Sequence, residues 1–383
     1  MTKNNNQYSK PQPTNKTILV DVIPPKTSKE ESSQRLDELE NLVKTYGGMV
    51  VVKVIQKRGM PDYRTYIGKG KLEEILNENK AYKANLLIIN NLLKPSQIYN
   101  LGETCKKQGI EVWDRIDLIL KIFAKHAKSV EAKLQIELAA IKHTGPRIYG
   151  LGLELTRQAG GIGTRGLGET NIQIMKRHLK RKEQKIREKL KHYDLVQANH
   201  RKQRRNKDLK TISLVGYTNA GKSTLLNALT NKGVYVADEL FATLETTVGK
   251  LYLPETESIV LLSDTIGFIQ DLPPDLIEAF KSTLSEIIDA DLLLHVIDLS
   301  DPLFESKILV VEEILSELGV AKKDKMYVFN KTDALTSFNK EELEDHFKGF
   351  SPIFISAHKK EGLNELIKKL ENHLEIAHNT VNS

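Results

Sequence analysis

Several short strings in the second half of this sequence have the residue types needed to hold a nucleoside triphosphate. Residues 216–223 read GYTNAGKS, directly after the apolar run ISLV and directly before the helical STLLNALT. Glycines at Gly216 and Gly221 let the backbone curl, so that successive N–H groups and the start of the next helix point at phosphate oxygens. Lys222 is then placed to reach the β- and γ-phosphates, and the Ser223 hydroxyl to ligate Mg²⁺. A glycine-rich turn between strand and helix can exist without a phosphate, but the complete pattern in this context argues against that. Asp264, Thr265, Ile266 and Gly267 (DTIG) end the apolar run IVLLS. There a carboxylate can hold a metal-bound water and a glycine N–H can approach the γ-phosphate.

Base choice is assigned to Asn330, Lys331, Thr332 and Asp333 (NKTD), at the end of MYVF. An ionised Asp333 would accept from the N1–H and N2–H₂ of guanine, a donor pair that adenine lacks. Matching of this kind discriminates by ~10⁴-fold, because the wrong base leaves buried polar groups unpaired. The Lys331 stem can cover the base face, Asn330 can tie this loop to the phosphate loop, and Ser356, Ala357 and His358 can offer a backbone N–H to the guanine O6. The expected nucleotide contacts therefore comprise Gly216, Tyr217, Thr218, Asn219, Ala220, Gly221, Lys222, Ser223 and Thr224, the DTIG and NKTD residues, and Ser356 to His358. Between the phosphate loop and DTIG lies FATLETTVGK, where Thr243, Thr246 and Thr247 are candidate sensors of the γ-phosphate and Mg²⁺. Loop threonines are more often plain surface hydroxyls. Phe268, after the DTIG glycine, cannot orient a water, so slow intrinsic hydrolysis is expected, with a partner completing the site. Completion of the ~10⁵-fold kind is worth about 7 kcal/mol of barrier.

These strings sit at the ends of TISLVGY, IVLLSDT, LLLHVID, MYVFNK and PIFISA, apolar runs separated by helical segments. Such runs read as buried parallel strands in a doubly wound α/β sheet, whose ligands bind at the strand C-termini. This domain is expected over residues 210–377, with a short tail at 378–383. An alternation of strand-like and helix-like stretches beginning with VVVKVI at Val50 predicts a small α/β domain over 17–115, preceded by a disordered tail at 1–16. Apolar spacing predicts an amphipathic helix from Ile116 to about Lys142 and a second from Asn171 to about Asn206. The second carries a seam of Ile172, Met175, Leu179, Ile186, Leu190 and Tyr193, with a gap at Lys182. Glycines between them predict an irregular loop over 145–170, so the segment 116–209 is expected to be an antiparallel helical hairpin with a glycine-rich tip. A solvated helical linker is the alternative.

Composition narrows the class. The 383 residues carry a formal charge of +7, with Lys and Arg crowded between Lys176 and Lys210, a distribution that suits a polyanionic partner. No run approaches the ~20 apolar residues of a membrane span, and the N-terminus resembles neither a signal nor a transit peptide. The cytoplasm is the expected compartment and a monomer the expected state. Cys105 is the sole cysteine and is read as a packing residue. No nucleophilic cysteine, metal-ligand cluster or cofactor loop is legible outside the nucleotide domain, which speaks against a fused RNA-modifying enzyme.

Longer strings carry a resemblance: TYIGKGKLEE from Thr65, LKPSQIYNL from Leu93, VWDRIDLILKIFA from Val112, EAKLQIELA from Glu131, LTRQAGGIGTRGLGET from Leu155 and FATLETT from Phe241. Together they resemble the HflX family of ribosome-associated GTPases over almost the whole chain. The resemblance implies GTP hydrolysis coupled to binding of the 50S subunit and its rRNA, with splitting or rescue of stalled or idle ribosomes. It places Phe241, Ala242, Thr243, Leu244 and Glu245 against the nucleotide and makes Thr243 a second Mg²⁺ ligand beside Ser223. Lys222, Thr243, Asp264 and Gly267 become the catalytic set, and Asn219 takes a position similar to the potassium-coordinating asparagine of cation-activated GTPases. The helical arm would enter the subunit, with Arg157, Arg165, Lys180 and Arg181 as candidate RNA contacts. Charge runs are commonly just solvated faces, and a GTP-dependent switch engaging a non-ribosomal protein is the rival reading. Two departures stand out. Leu167 replaces the family's usual proline in GPGET, and NIQIMKRH follows Thr170 in place of an acidic residue and paired arginines. Relatives also carry a small C-terminal domain, whereas this sequence ends soon after GLNELIKKLENHLEIA, so contacts through that domain are expected to be absent or reassigned.

Overall fold

The computed structural model describes residues 15–158, 165–206, 209–230, 233, 240–241, 246–270, 276 and 284–381; the side chains of 148–172, 200–206 and 375–381 are outside that description. The chain divides into two compact units, residues 1–125 with 140–181, and residues 126–139 with 182–383.

The first unit is built on a four-stranded parallel sheet of β1 (Lys16–Ile23), β2 (Met49–Lys57), β3 (Leu86–Ile89) and β4 (Glu111–Asp114), in the order β2-β1-β3-β4. Crossovers are made by α1 (Lys29–Tyr46), α2 (Lys69–Tyr82) and α3 (Pro95–Lys106), and α4 (Arg115–His126) follows β4. β1 and α1 were not expected from the sequence. β1 is central and buried after its first residue, but Asp21 interrupts its apolar text. That carboxylate is tolerated inside because Arg35 Nε and Asn90 Nδ2 donate to it at 2.9 and 3.0 Å, as a buried charge requires. α1 is bounded in the ordinary way, with Ser28 Oγ accepting from the Glu31 N–H and Gly47 closing it at φ 96°.

The helical segment differs from the expectation in two ways. The helix foreseen over 116–142 is two helices, α4 and α5 (Val130–Gln158), separated at Ala127–Ser129, where Ser129 Oγ accepts from the Ala132 N–H at 3.1 Å and starts α5. The loop foreseen from Gly145 is also shorter. α5 runs through Gly145 and Pro146 to Gln158, and α6 begins at Arg165 and ends at Asn206. Gly in a helix costs only about 1 kcal/mol, and Pro146 removes one N–H donor, a loss the helix absorbs while Thr144 Oγ1 bonds back to the Ala140 carbonyl at 2.6 Å. Along the α6 seam Ile186 is buried, Leu179, Leu190 and Tyr193 are half-buried, and Met175 is exposed. Lys182, the gap in that seam, pairs with Glu137 of α5 at 2.6 Å.

The second unit contains a six-stranded sheet of β5 (Thr211–Val215), β6 (Thr247–Leu253), β7 (Ser258–Asp264), β8 (Leu292–Asp298), β9 (Lys325–Asn330) and β10 (Ile353–Phe354), in the order β10-β9-β8-β5-β7-β6. β6 runs antiparallel to β7 and the remaining pairs are parallel. α7 (Lys222–Thr230), α8 (Ser285–Asp289), α9 (Phe304–Glu317), α10 (Lys340–His346) and α11 (Leu363–Val381) complete it. α11 extends past residue 377, so the short tail foreseen at 378–383 is helical through Val381. Ile212, Leu214, Leu262, Leu294 and Val328 form the centre of the core. This is the doubly wound P-loop architecture that the motif order predicts, with the motif loops at the C-terminal ends of β5, β7 and β9. No helix among the described residues is long and apolar enough to cross a membrane.

Candidate nucleotide site

β5 ends at Val215 and α7 starts at Lys222, so residues 216–221 form the turn between them. Gly216 has φ +151°, and a Cβ there would lie 2.3 Å from the Val296 carbonyl oxygen; Gly221 has φ +94°, and a Cβ would lie 2.2 Å from Asn330 Nδ2. Both glycines are thus required by conformation and by space. Asn219 also adopts a left-handed conformation, φ 62°, which asparagine tolerates better than most residues.

Lys222 is buried, and its Nζ donates to the Gly216 and Tyr217 carbonyls at 3.1 and 2.9 Å. Burial pulls its ammonium down to about 8, against the opposing pull of Asp264. The loop carbonyls hold the ammonium inside the turn, where phosphate oxygens would otherwise meet it. Ser223 Oγ donates to Asp264 Oδ2 at 2.6 Å. A hydroxyl and a carboxylate at the start of α7 and the end of β7 form the hard oxygen donor set that Mg²⁺ prefers. At Gly267 a Cβ would lie 2.8 Å from Thr218 Cα and 3.0 Å from Lys222 Nζ, so only glycine lets this backbone pack so closely on the phosphate loop.

Phe268 is buried, and its backbone is clamped to the phosphate loop. Its N–H donates to Gly216 O at 3.1 Å, and its carbonyl accepts from the Thr218 N–H at 2.7 Å. Its side chain belongs to the core. Two residues on, the Gln270 N–H donates to the Tyr217 hydroxyl at 2.8 Å, a link between the loop and the segment after DTIG that motif reading did not anticipate.

On the base side, Asn330 Nδ2 donates to Ala220 O at 2.9 Å and Asn330 Oδ1 accepts from the Ala357 N–H at 3.0 Å. Ser356 Oγ donates to Asp333 Oδ1 at 2.7 Å, and this bond is the main reason that the Asp333 carboxyl sits below its usual range. Lys331, at φ 63°, pairs with Asp298 Oδ2 at 2.8 Å. Sequence reasoning found Ser356 by its motif but missed its side-chain role and missed Asp298. Ala242, Thr243, Leu244 and Glu245 lie outside the described residues, while Phe241 is buried at φ 58°.

Profiles described as "GTP-binding GTPase N-terminal", "GTP-binding GTPase Middle Region" and "50S ribosome-binding GTPase" match residues 33–124, 126–204 and 211–331 in turn. GTPase HflX of Caldanaerobacter subterraneus subsp. tengcongensis is 44% identical over 359 residues, covering 94% of this chain and 80% of that protein. The chain belongs to the HflX family of GTPases. GTPase HflX of Escherichia coli is 37% identical over 356 residues, covering 92% of this chain and 83% of that one. Among solved structures, a complex of SsGBP with GDP superposes with a TM-score of 0.51 at 29% identity, covering 93% of this chain and 98% of the other. As an HflX-family GTPase, the chain binds guanine nucleotide and hydrolyses GTP, and the resemblance noted in its longer strings holds over most of its length.

The other expected contacts are dispersed. Lys180 and Arg181 are exposed on α6; Arg157 lies in α5 and Arg165 opens α6, with side chains outside the description. Cys105 is buried in α3, and burial pushes its thiol up to about 12, in keeping with a packing role. One cluster was invisible in the sequence. β4, α4 and α5 bring Asp114, Asp117 and His143 close enough to share a metal ion. Here the positive charge comes from Arg147, which donates to Asp117 Oδ2 at 2.7 Å and also to Asp114. His143 Nε2 lies 3.1 Å from Asp114 Oδ1. The cluster is a charge-paired joint between α5 and the end of β4.

Proposed function

We propose that this HflX-family GTPase binds the large ribosomal subunit through its N-terminal domain and basic helical arm, hydrolyses GTP in a ribosome-stimulated way, and so splits or rescues stalled or idle ribosomes. The observation that carries this reading is the run of exposed cations around α6. His178, Lys180, Arg181, Lys185, Arg187, Lys189 and Lys191 are all exposed, a pattern that suits rRNA phosphates. The "50S ribosome-binding GTPase" profile over the nucleotide domain supports the same reading.

In the reaction a water attacks the γ-phosphorus, the bond to the β-phosphate oxygen breaks, and GDP and phosphate leave. Ser223, with Thr243, would hold Mg²⁺; when bound, the ion supplies neutralisation of charge on the phosphate oxygens. Lys222 would exchange its two loop carbonyls for β- and γ-phosphate oxygens. The Gly267 N–H would approach the γ-phosphate. Asp333, ordered by Ser356, would accept from guanine N1–H and N2–H₂. The Ser356 and Ala357 N–H groups already donate to the Glu361 carbonyl and Asn330 Oδ1, so within this segment the His358 N–H is the proposed donor to the guanine O6. Because Phe268 is a core residue, the chain brings no water-orienting side chain directly after DTIG, and that lack supports a reading in which a partner completes the site. Asn219 is assigned the contact to an activating K⁺; equal rates in K⁺ and Na⁺ would count against it.

The test is the GTPase rate with and without purified 50S subunits, with Lys222→Ala as control, over a salt series. Stimulation that fades with salt supports the reading. Absence of stimulation with GTP binding intact would favour a switch engaging a non-ribosomal protein.

A further inference from the structure

We propose that the loop between β2 and α2, residues 58–67, is a second RNA-contact surface, in which the Tyr63 ring stacks on an unpaired base while Arg64 and its cationic neighbours take the flanking phosphates. It rests on the reading that this GTPase binds ribosomal RNA, and it adds a surface separate in sequence from the arm.

Tyr63 and Met60 are 82% and 83% exposed, the highest values among large apolar side chains of the described residues. Single exposed apolar residues are common and need no explanation, but these two share one rigid loop. The Asp62 carboxylate accepts from the N–H groups of Arg64 and Thr65 at 2.9 and 3.1 Å. Asp62 and Tyr66 exchange backbone hydrogen bonds at 2.9 and 3.0 Å. From α3, Gln97 Nε2 donates to Asp62 O at 2.9 Å and Asn100 Nδ2 donates to Arg64 O at 3.0 Å. Arg58 Nε donates to Met60 O at 3.1 Å. The backbone is thus pinned on both sides of Tyr63 while the ring stays in solvent. Stacking then incurs little ordering cost, because the loop is already in place.

Charge points to the partner. Between Lys57 and Gly70 the cations are Lys57, Arg58, Arg64 and Lys69, and the sole carboxylate is Asp62, which is spent on the loop's own N–H groups. An exposed aromatic ring in a segment with an excess of cations, with Arg64 next to it in sequence, suits unpaired nucleotides, with bases on the ring and phosphates on the cations. Tyr and Arg also anchor protein interfaces; the cationic excess favours RNA.

The test uses the full-length protein loaded with a non-hydrolysable GTP analogue and two probes, purified 50S subunits and a fluorescein-labelled single-stranded RNA of mixed sequence. Tyr63→Ala is expected to weaken both interactions roughly tenfold, Tyr63→Phe to restore them, and Arg64→Ala to lower the salt slope by about one. Because the ring is exposed, the variants should melt with wild type. Affinity unchanged by Tyr63→Ala on both probes overturns the proposal; if a Lys180→Ala/Arg181→Ala variant meanwhile loses subunit binding, the ribosomal reading stands alone. Subunit binding weakened by Tyr63→Ala, unrescued by Phe and with the RNA unaffected, indicates a protein contact and also overturns it. Wild type that binds neither probe overturns it too. Wild type that ignores 50S but needs Tyr63 for the RNA would remove the ribosomal reading and keep this surface.

Discussion

Asn330 donates its side-chain amide to the Ala220 carbonyl at 2.9 Å, so the loop that reads the base and the loop that holds the phosphates share a hydrogen bond. The same side chain accepts from the Ala357 N–H. Asn330→Ala leaves two buried backbone groups unmet, each costing about 1–3 kcal/mol. A lower melting temperature and a GTP affinity reduced by at least tenfold are expected. Calorimetric melting and nucleotide titration would check both, and an unaltered affinity would mean that the loops are organised independently.

Asp333→Asn should abolish the guanine preference. An asparagine amide can accept one of the two guanine donors but presents a donor to the other, so GTP affinity should fall by about 10⁴-fold. Xanthine, which carries a carbonyl at C2, should be bound better by the variant than by wild type. Competition between GTP and XTP for each protein measures the exchange.

GTP binding should take up a proton above pH 8. The Lys222 ammonium, held at about 8 by burial in the free protein, becomes fully charged beside phosphates. At pH 8.5 more than half a proton per GTP is expected, read as a dependence of the binding enthalpy on the ionisation enthalpy of the buffer. Equal enthalpies in two such buffers would show that Lys222 is already charged.

The joint at β4 gives stability a pH signature. Burial opposes the His143 charge, but Asp114 and Asp117 outweigh it and raise the imidazole above its ordinary value. A raised group contributes fully below the ordinary imidazole range and loses its contribution as pH rises through the elevated value. Asp117 behaves in the opposite sense. Burial would raise it, but His143 and Arg147 hold it at about 2, so its contribution is present above the ordinary carboxylate range and fades as pH falls towards 2. Urea unfolding across pH should show both limbs, and His143→Gln should remove the upper one.

Phe268→Leu should leave the intrinsic GTPase rate unchanged, whereas Phe268→Ala should cost about 3–5 kcal/mol of stability. The buried ring supports the clamp between the phosphate loop and DTIG without touching the reacting atoms. A large loss of intrinsic rate in the leucine variant, at normal stability, would give the ring a catalytic part.

The nucleotide site was legible because its chemistry is local: each motif is a contiguous string at a strand end, and strand order brings those ends together. What escaped notice depends on partners distant in sequence. β1 was hidden by Asp21, which reads as a surface residue until Arg35 and Asn90 are seen to donate to it. The Asp114, Asp117, His143 and Arg147 cluster comes from three elements, and no spacing announces it. Gly145, Gly150 and Gly152 read as loop by propensity, yet they lie inside α5, and Gly166 and Gly168 lie inside α6. α4 ends at His126 and Ser129 caps α5 with no Gly or Pro between them, so a pattern of apolar spacing passes over the break.

Arg147 lies one residue beyond Pro146, where α5 lacks a backbone donor, and it is held by Asp114 at the end of β4 and Asp117 in the first turn of α4. The weakest turn of the helix is therefore bracketed by a fixed bearing, and the bearing uses none of the residues that follow. The course of α5 is thereby fixed on the N-terminal side of the glycine-rich stretch.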